Sequence, residues 1–361
     1  MAPTAGTRAA YDDAVAGLAE SSCAAWGKTE SEAAVEGTSP GITDLGGDVF
    51  EIDTLMGGYS GITAGYLIRS DRPCLVETGT ALSAPTVIDS LARLGVGPRD
   101  LSTVVVTHIH LDHAGGVGDI AEAFPQAQVV VHENGARHLV DPEKLVRSAR
   151  RVFGSAMDEL FGELRPTEAA RVVALAEVGT IDLGAGRTLD AFYAPGHASH
   201  HIGLLDSSTG DLYTGDAAGV YIRDLDEMRP ATPPPDFDLD LALASMNRMS
   251  EVAPRRLLFS HYGPLDDVQD ALARSEEVLR RWVGMVRAAR TQEMDLDHAV
   301  AMVRERTRIE IDGLSDDDMQ ERLEKWEFLS STAANVVGIS RWLDATEGPG
   351  STSGDAAHVS R

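Results

Sequence analysis

The stretch from Ser102 to Gly116, Ser-Thr-Val-Val-Val-Thr-His-Ile-His-Leu-Asp-His-Ala-Gly-Gly, constrains the fold of this chain more than any other. Its first six residues form a β-branched run of the kind found in strands buried on both faces. The next six offer His108, His110, Asp112 and His113. If the chain leaves the strand extended, alternate side chains point the same way, so His108 and His110 can meet one cation while Asp112 and His113 turn toward a second. Imidazole nitrogen and carboxylate oxygen at this density, without thiolate, suit Zn²⁺, or Fe²⁺ or Mn²⁺. Gly115 and Gly116 are expected to let the backbone bend sharply, so that the following helix presents its N-terminus near the site.

The surrounding pattern predicts an α/β domain. Strands are expected over 49–52, 64–68, 74–77, 128–132, 188–193, 202–206, 211–214 and 257–260, punctuated by Gly, Asp and Pro. Val87, Ile88, Leu91 and Leu94 recur at helical spacing, with Ser83 as cap and Gly95 as stop. Alternation of strand, turn and helix indicates layering. Residues 1–42 read as a flexible acidic head and 43–265 as the core domain. Within that core, 139–178 reads as a charged helical insertion. Residues 266–345 read as a helical C-terminal extension and 346–361 as a Gly/Ser-rich disordered tail. Pro230–Pro235 is expected to be an extended loop.

Four ligands in six residues cannot surround two metals, so others must come from elsewhere. His197 in Ala-Pro-Gly-His, Asp216 in Tyr-Thr-Gly-Asp and His261 after Leu-Leu-Phe-Ser each follow a predicted strand. The C-terminal ends of strands are where α/β folds gather their sites.

Together these motifs resemble the metallo-β-lactamase superfamily in ligand identity and order, over roughly residues 45–265. The resemblance implies a four-layer αββα sandwich with metals at one rim. It assigns His108, His110 and His197 to one metal and Asp112, His113 and His261 to the other, with Asp216 bridging. The family often has Asp before Thr-Gly at an early strand end, supporting a ligand histidine; here Glu77 precedes Thr78 and Gly79. Its lactone-hydrolysing branch often places Tyr three residues after the bridging Asp, where this chain has Gly219.

The implied reaction is metal-assisted attack of hydroxide on an ester, thioester or lactone carbonyl, with Asp112 or Asp216 orienting the nucleophile. Tyr221 is the preferred tyrosine to face a substrate oxyanion, ahead of Tyr193 and Tyr262. His200 and His201 are expected to support or pack, and His132 and His138 to pack. Two other chemistries share this scaffold. A single-iron sulfur dioxygenase would not use all seven ligands, and the diiron flavin-linked branch generally has Glu where His110 stands. A nuclease is disfavoured by the charge of −26, from 31 Lys and Arg against 57 Asp and Glu, which repels phosphate backbones and anionic membranes alike. A small-molecule substrate is expected. The insertion and the C-terminal helices offer the faces through which a homodimer would form.

Cys23 and Cys74 make no disulfide framework, and the N-terminus lacks the pattern of a signal peptide, so a cytoplasmic location is expected.

Overall fold

Period-two alternation along the strands sorts this chain into layers. The structure, a computed structural model, describes residues 41–154, 156–308, 322–327 and 330–348. One sheet runs in chain order: β1 (Ile42–Asp44), β2 (Val49–Asp53), β3 (Ala64–Ile68), β4 (Cys74–Val76), β5 (Thr103–Val105), β6 (Gln128–His132) and β7 (Val172–Leu175). It is antiparallel from β1 to β4 and parallel from β4 to β7. The second sheet contains β8 (Val178–Asp182), β9 (Thr188–Tyr193), β10 (Ile202–Asp206), β11 (Asp211–Gly215), β14 (Arg256–Phe259) and β15 (Gly263–Leu265), adjacent in that order. A separate hairpin pairs β12 (Val220–Ile222) with β13 (Glu227–Arg229).

Between the sheets lie Cys74, Val76, Val105 and Val130 from the first and Leu189, Leu204, Tyr213 and Leu258 from the second. Their neighbours point outward. Leu75, Val104, Val129 and Val131 meet α1 (Ala84–Arg93), α3 (Val117–Ala123) and α4 (Glu133–Val140), the two last following the short α2 (Leu111–Ala114). Leu212, Leu257 and Phe259 meet α7 (Leu239–Glu251), α8 (Val268–Thr291), α9 (Leu296–Arg306) and α10 (Thr332–Glu347). The expected αββα sandwich is therefore present, and the C-terminal helices form much of its outer layer. Fully burying a Val or Leu side chain contributes about 1.5–3 kcal/mol, so three such cores account for the register of both sheets. No described helix is long and apolar enough to cross a membrane.

Three local expectations are corrected. The segment 139–178 is only partly helical: after α5 (Glu143–Phe153) and α6 (Ala156–Phe161) it supplies β7, the sheet's edge, and the first residue of β8. Charged residues flank these short strands and hide their alternation. Ser83 precedes α1 without capping it; its own N–H donates to Thr80 Oγ1 at 3.1 Å. Gly115 and Gly116 have ordinary helical backbone, φ −60° and −84°. They are glycines because space is missing, since a Cβ on Gly115 would stand 2.2 Å from Leu111 O and 3.0 Å from Ala81 N. Pro230–Pro235 lies outside helix and strand, as expected. The head before residue 41, with Cys23, and the tail after 348 lie outside the described residues; Cys74 is buried and free.

Candidate metal centre

The site forms where the two sheets meet at one rim. Thr107 O, just past β5, accepts Ile202 N–H from β10 at 2.8 Å, and Ser260 O, just past β14, accepts Ala64 N–H from β3 at 2.8 Å. These links tie β5 to β10 and β14 to β3 at this rim. β5 leads to His108 and His110, α2 carries Asp112 and His113, and His197, Asp216 and His261 follow β9, β11 and β14.

All seven expected ligands converge. His110 Nδ1 lies 3.0 Å from His108 Nε2 and 2.9 Å from His197 Nε2. His261 Nε2 lies 3.2 Å from His113 Nε2 and 3.3 Å from Asp112 Oδ2. Asp216 stands between the two groups. Its Oδ2 is 3.4 Å from His197 Nε2, while Oδ1 is 3.5 Å from His113 Nε2 and 3.7 Å from His261 Nε2.

The chemistry of these contacts fits divalent cations. His197 Nδ1 meets Ala231 O at 3.0 Å and His261 Nδ1 meets Ile62 O at 2.7 Å. A carbonyl only accepts, so each Nδ1 carries the ring proton and each Nε2 turns a lone pair inward. Asp216 Oδ1 is buried without a hydrogen-bond donor. Lone pairs and carboxylate oxygens converging this closely repel one another unless a cation lies among them.

Outer contacts hold the ligands in place. His108 Nδ1 meets Thr107 Oγ1 at 3.0 Å. Glu77 has φ +65° and is fully buried; its Oε1 accepts Thr107 N–H at 3.1 Å and its Oε2 lies 3.4 Å from His113 Nδ1. The longer carboxylate thus comes within ion-pair range of the ligand histidine, although neither of these two buried atoms makes a hydrogen bond. Thr78 donates its N–H and Oγ1–H to His113 O at 2.9 and 2.8 Å. His201 Nε2 accepts Asp216 N–H at 3.1 Å, a supporting role as expected. Gly215, at φ +51°, is required there, because a Cβ would stand 2.4 Å from His201 Nε2 and 2.5 Å from Thr107 Oγ1.

Electrostatics divide the cluster. Burial, reinforced by neighbouring imidazoles, pushes His108 well down and His110 down to about 4, and burial also lowers His197. For His113 and His261 burial works in the same direction but is outweighed, chiefly by Asp216, then by Asp112, with Glu77 also acting on His113; both end raised. Burial opposes ionisation of Asp112 and Asp216, yet the facing histidines hold both carboxyls below their usual range.

The other candidates fall outside the cluster. Tyr221 is not brought to it. Its hydroxyl donates to Asp226 Oδ1 at 3.2 Å, its ring packs with Phe259, and its main chain supports the site by donating N–H to His261 O. The hairpin that turns its ring into the core beside Phe259, away from the cluster, had no sequence signature. Tyr193 Oη donates to Ser199 O, and the Tyr262 ring carries the Arg223 guanidinium 4.3 Å from its centroid. His132 accepts Asn134 N–H and stacks on Tyr193, and His138 lies beside Arg137 at the surface. Thr107, Ile62 and Ala231 were missed, the latter two because they act through carbonyls that every residue type offers.

Five ligands are buried, while His110 and Asp112, one from each group, are half-exposed. Behind His197 and Asp216, a cavity of about 20 Å³ reaching Phe237 and Leu279 has room for about one water. The open side of the site is therefore that of His110 and Asp112.

Residues 59–261 match the family model of the metallo-beta-lactamase superfamily. A metallo-beta-lactamase fold-containing protein of Sulfurisphaera tokodaii is 31% identical over 166 residues, 45% of this chain and 61% of that protein. A hydroxyacylglutathione hydrolase of Synechococcus sp. is 30% identical over 151 residues, 42% and 47% respectively. This chain thus spans about half to three fifths of the length of these relatives. The crystal structure of an archaeal metallo-beta-lactamase superfamily protein from Sulfolobus tokodaii superposes with a TM-score of 0.56 at 23% identity, covering 78% of this chain and 93% of that one.

Proposed function

The chain belongs to the metallo-β-lactamase superfamily, and from that premise we propose that it is a hydrolase using two divalent metal ions, preferably Zn²⁺, on the carbonyl of a small ester, thioester or lactone. One observation carries the reading: the two oxygens of Asp216 face two different groups of candidate ligands, which supports a pair of ions. Bound there, the pair would supply Lewis acidity toward a carbonyl oxygen and make water acidic enough to deprotonate near neutral pH.

The chain's own residues do the rest. His108, His110 and His197, kept neutral by burial, present lone pairs at working pH. Asp112, ionised and half-exposed, accepts a hydrogen bond from the attacking water and orients it toward the acyl carbon. Asp216, ionised and deeper, fixes the spacing of the two groups. The relative from Synechococcus is named for hydrolysis, which supports the reaction class. A one-iron oxygenase site would have no use for two complete groups.

The test is metal analysis of the purified protein with a hydrolysis screen over lactones, thioesters and aryl esters, with oxygen uptake followed in parallel. About two ions per chain and ester-type turnover are expected, with turnover abolished in His110→Ala. Turnover unchanged in that variant, or oxygen consumption in its place, would overturn the proposal.

A further inference from the structure

His200 stands beside the first ligand group without belonging to it. Its ring lies parallel to that of His108, 9° apart with centroids 6.1 Å away, and edge-on to that of His110 at 5.6 Å. Its Nδ1 accepts the N–H of Ile109 at 3.3 Å, the residue between those two ligands. Among the described residues this is its one hydrogen bond. An imidazole that accepts at Nδ1 and is neutral carries its proton on Nε2, so the free nitrogen is a donor. His200 is only partly exposed, as is His110 beside it, on the side where substrate would enter. The neighbouring turn is braced: Asp236 Oδ2 accepts Ser199 N–H at 3.1 Å and Ser199 Oγ–H at 2.5 Å, and Asn134 Nδ2 donates to Ser199 O at 2.8 Å. A donor aimed from a braced turn loses little freedom on meeting its partner.

We propose that His200 Nε2–H donates a hydrogen bond to the substrate oxygen that gains negative charge as the acyl carbon is attacked. The inference rests on the hydrolase reading. In that reaction the water oxygen bonds to the acyl carbon, the bond from that carbon to the leaving oxygen or sulfur breaks, and the leaving atom takes a proton from the attacking water. His200 keeps its own proton throughout. A neutral imidazole can polarise a carbonyl in this way without acting as an acid. Losing one such donor in a fully enclosed site costs about 10²–10³ in rate, so a partly exposed donor should cost less.

The experiment compares the metal-loaded wild type with His200→Ala, His200→Phe and His200→Gln. Phe keeps the ring without a donor, and Gln keeps a donor without the ring. Metal content should be unchanged in all three. kcat/KM for an aryl ester should fall about ten- to a hundredfold in Ala and Phe and recover in part in Gln. Calorimetric affinity for acetate, a product-like carboxylate, should follow the same order. Full activity in the Phe variant, or metal loss in all three, would overturn the inference. A wild type that binds acetate through His200 yet hydrolyses nothing would overturn the hydrolase reading and leave the donor standing.

Discussion

The two halves of the metal centre are built from similar ligands yet sit in opposite electrostatic surroundings. His108, His110 and His197 are three imidazoles whose charged forms are disfavoured, mainly by burial. His113 and His261 share their group with Asp112, His113 has Glu77 behind it, and there the carboxylates outweigh burial. The first group is a set of neutral donors; the second is a negatively charged pocket. Opposite charge at short range is worth far more in a buried site than at the surface, so the second group should hold its cation more tightly.

Removing the residue that the halves share should have the largest effect. Asp216→Ala is expected to weaken both ions by more than about a hundredfold, beyond the 10–100-fold typical of an outer-contact residue. Metal titration would show it; loss of only one ion would break the account of Asp216 as common to both groups. Glu77→Gln comes next. It should weaken one ion about 10–100-fold and leave the other within about threefold, so equal weakening of both would erase the contrast between halves.

Acid should act on the metal-free protein through the first group. His108, His110 and His197 have folded pKa values below the ordinary 6.5, so the unfolded chain takes up their protons first. Their stabilising contribution is present above 6.5 and is lost as pH falls toward about 4, the value for His110. His113 and His261 are raised, and their contribution runs the other way, present below 6.5 and lost as pH rises above it. His200, lowered to about 3 chiefly by burial, and His201 add to the first trend. The Tm of metal-free protein should therefore drop between pH 6.5 and 4, and drop less in His110→Gln. A flat profile would refute it. The smallest effect is expected from Tyr221→Phe, which leaves the main-chain support of His261 intact. It should cost about 0.5–1.5 kcal/mol in denaturant unfolding and leave turnover unchanged; a large loss of turnover would return Tyr221 to the site.

The seven candidate ligands, which the structure brings together, could be picked out because they lie just past strands whose apolar runs are themselves legible or, for Asp112 and His113, on the short helix that follows one. The second half of the strand pattern was less legible. β7 and β8 are short and flanked by charged residues, and α5 and α6 before them drew the whole segment toward a helical reading. Glu77 showed as a departure from the family's Asp, but whether the longer side chain reaches depends on a left-handed backbone at that position, which no neighbouring residue announces. Gly115 and Gly116 were visible as glycines and misread in purpose, because bending and crowding leave the same letter in the sequence.

What the sequence determined by itself is the candidate ligand set and the layered frame: histidine and aspartate just past strands, and near-continuous apolar runs that must be buried on both faces. What only the tertiary structure decided is how those ligands divide into two groups of unlike charge, which nitrogen of each ring faces inward, and which flank is open. The physical reason is that these properties depend on partners far away in the chain. Ile62 and Ala231 set tautomers through their carbonyls, and Glu77 sets a local charge from another strand. Carbonyls are common to all residues, and distances across a sandwich are fixed by packing rather than by any local pattern.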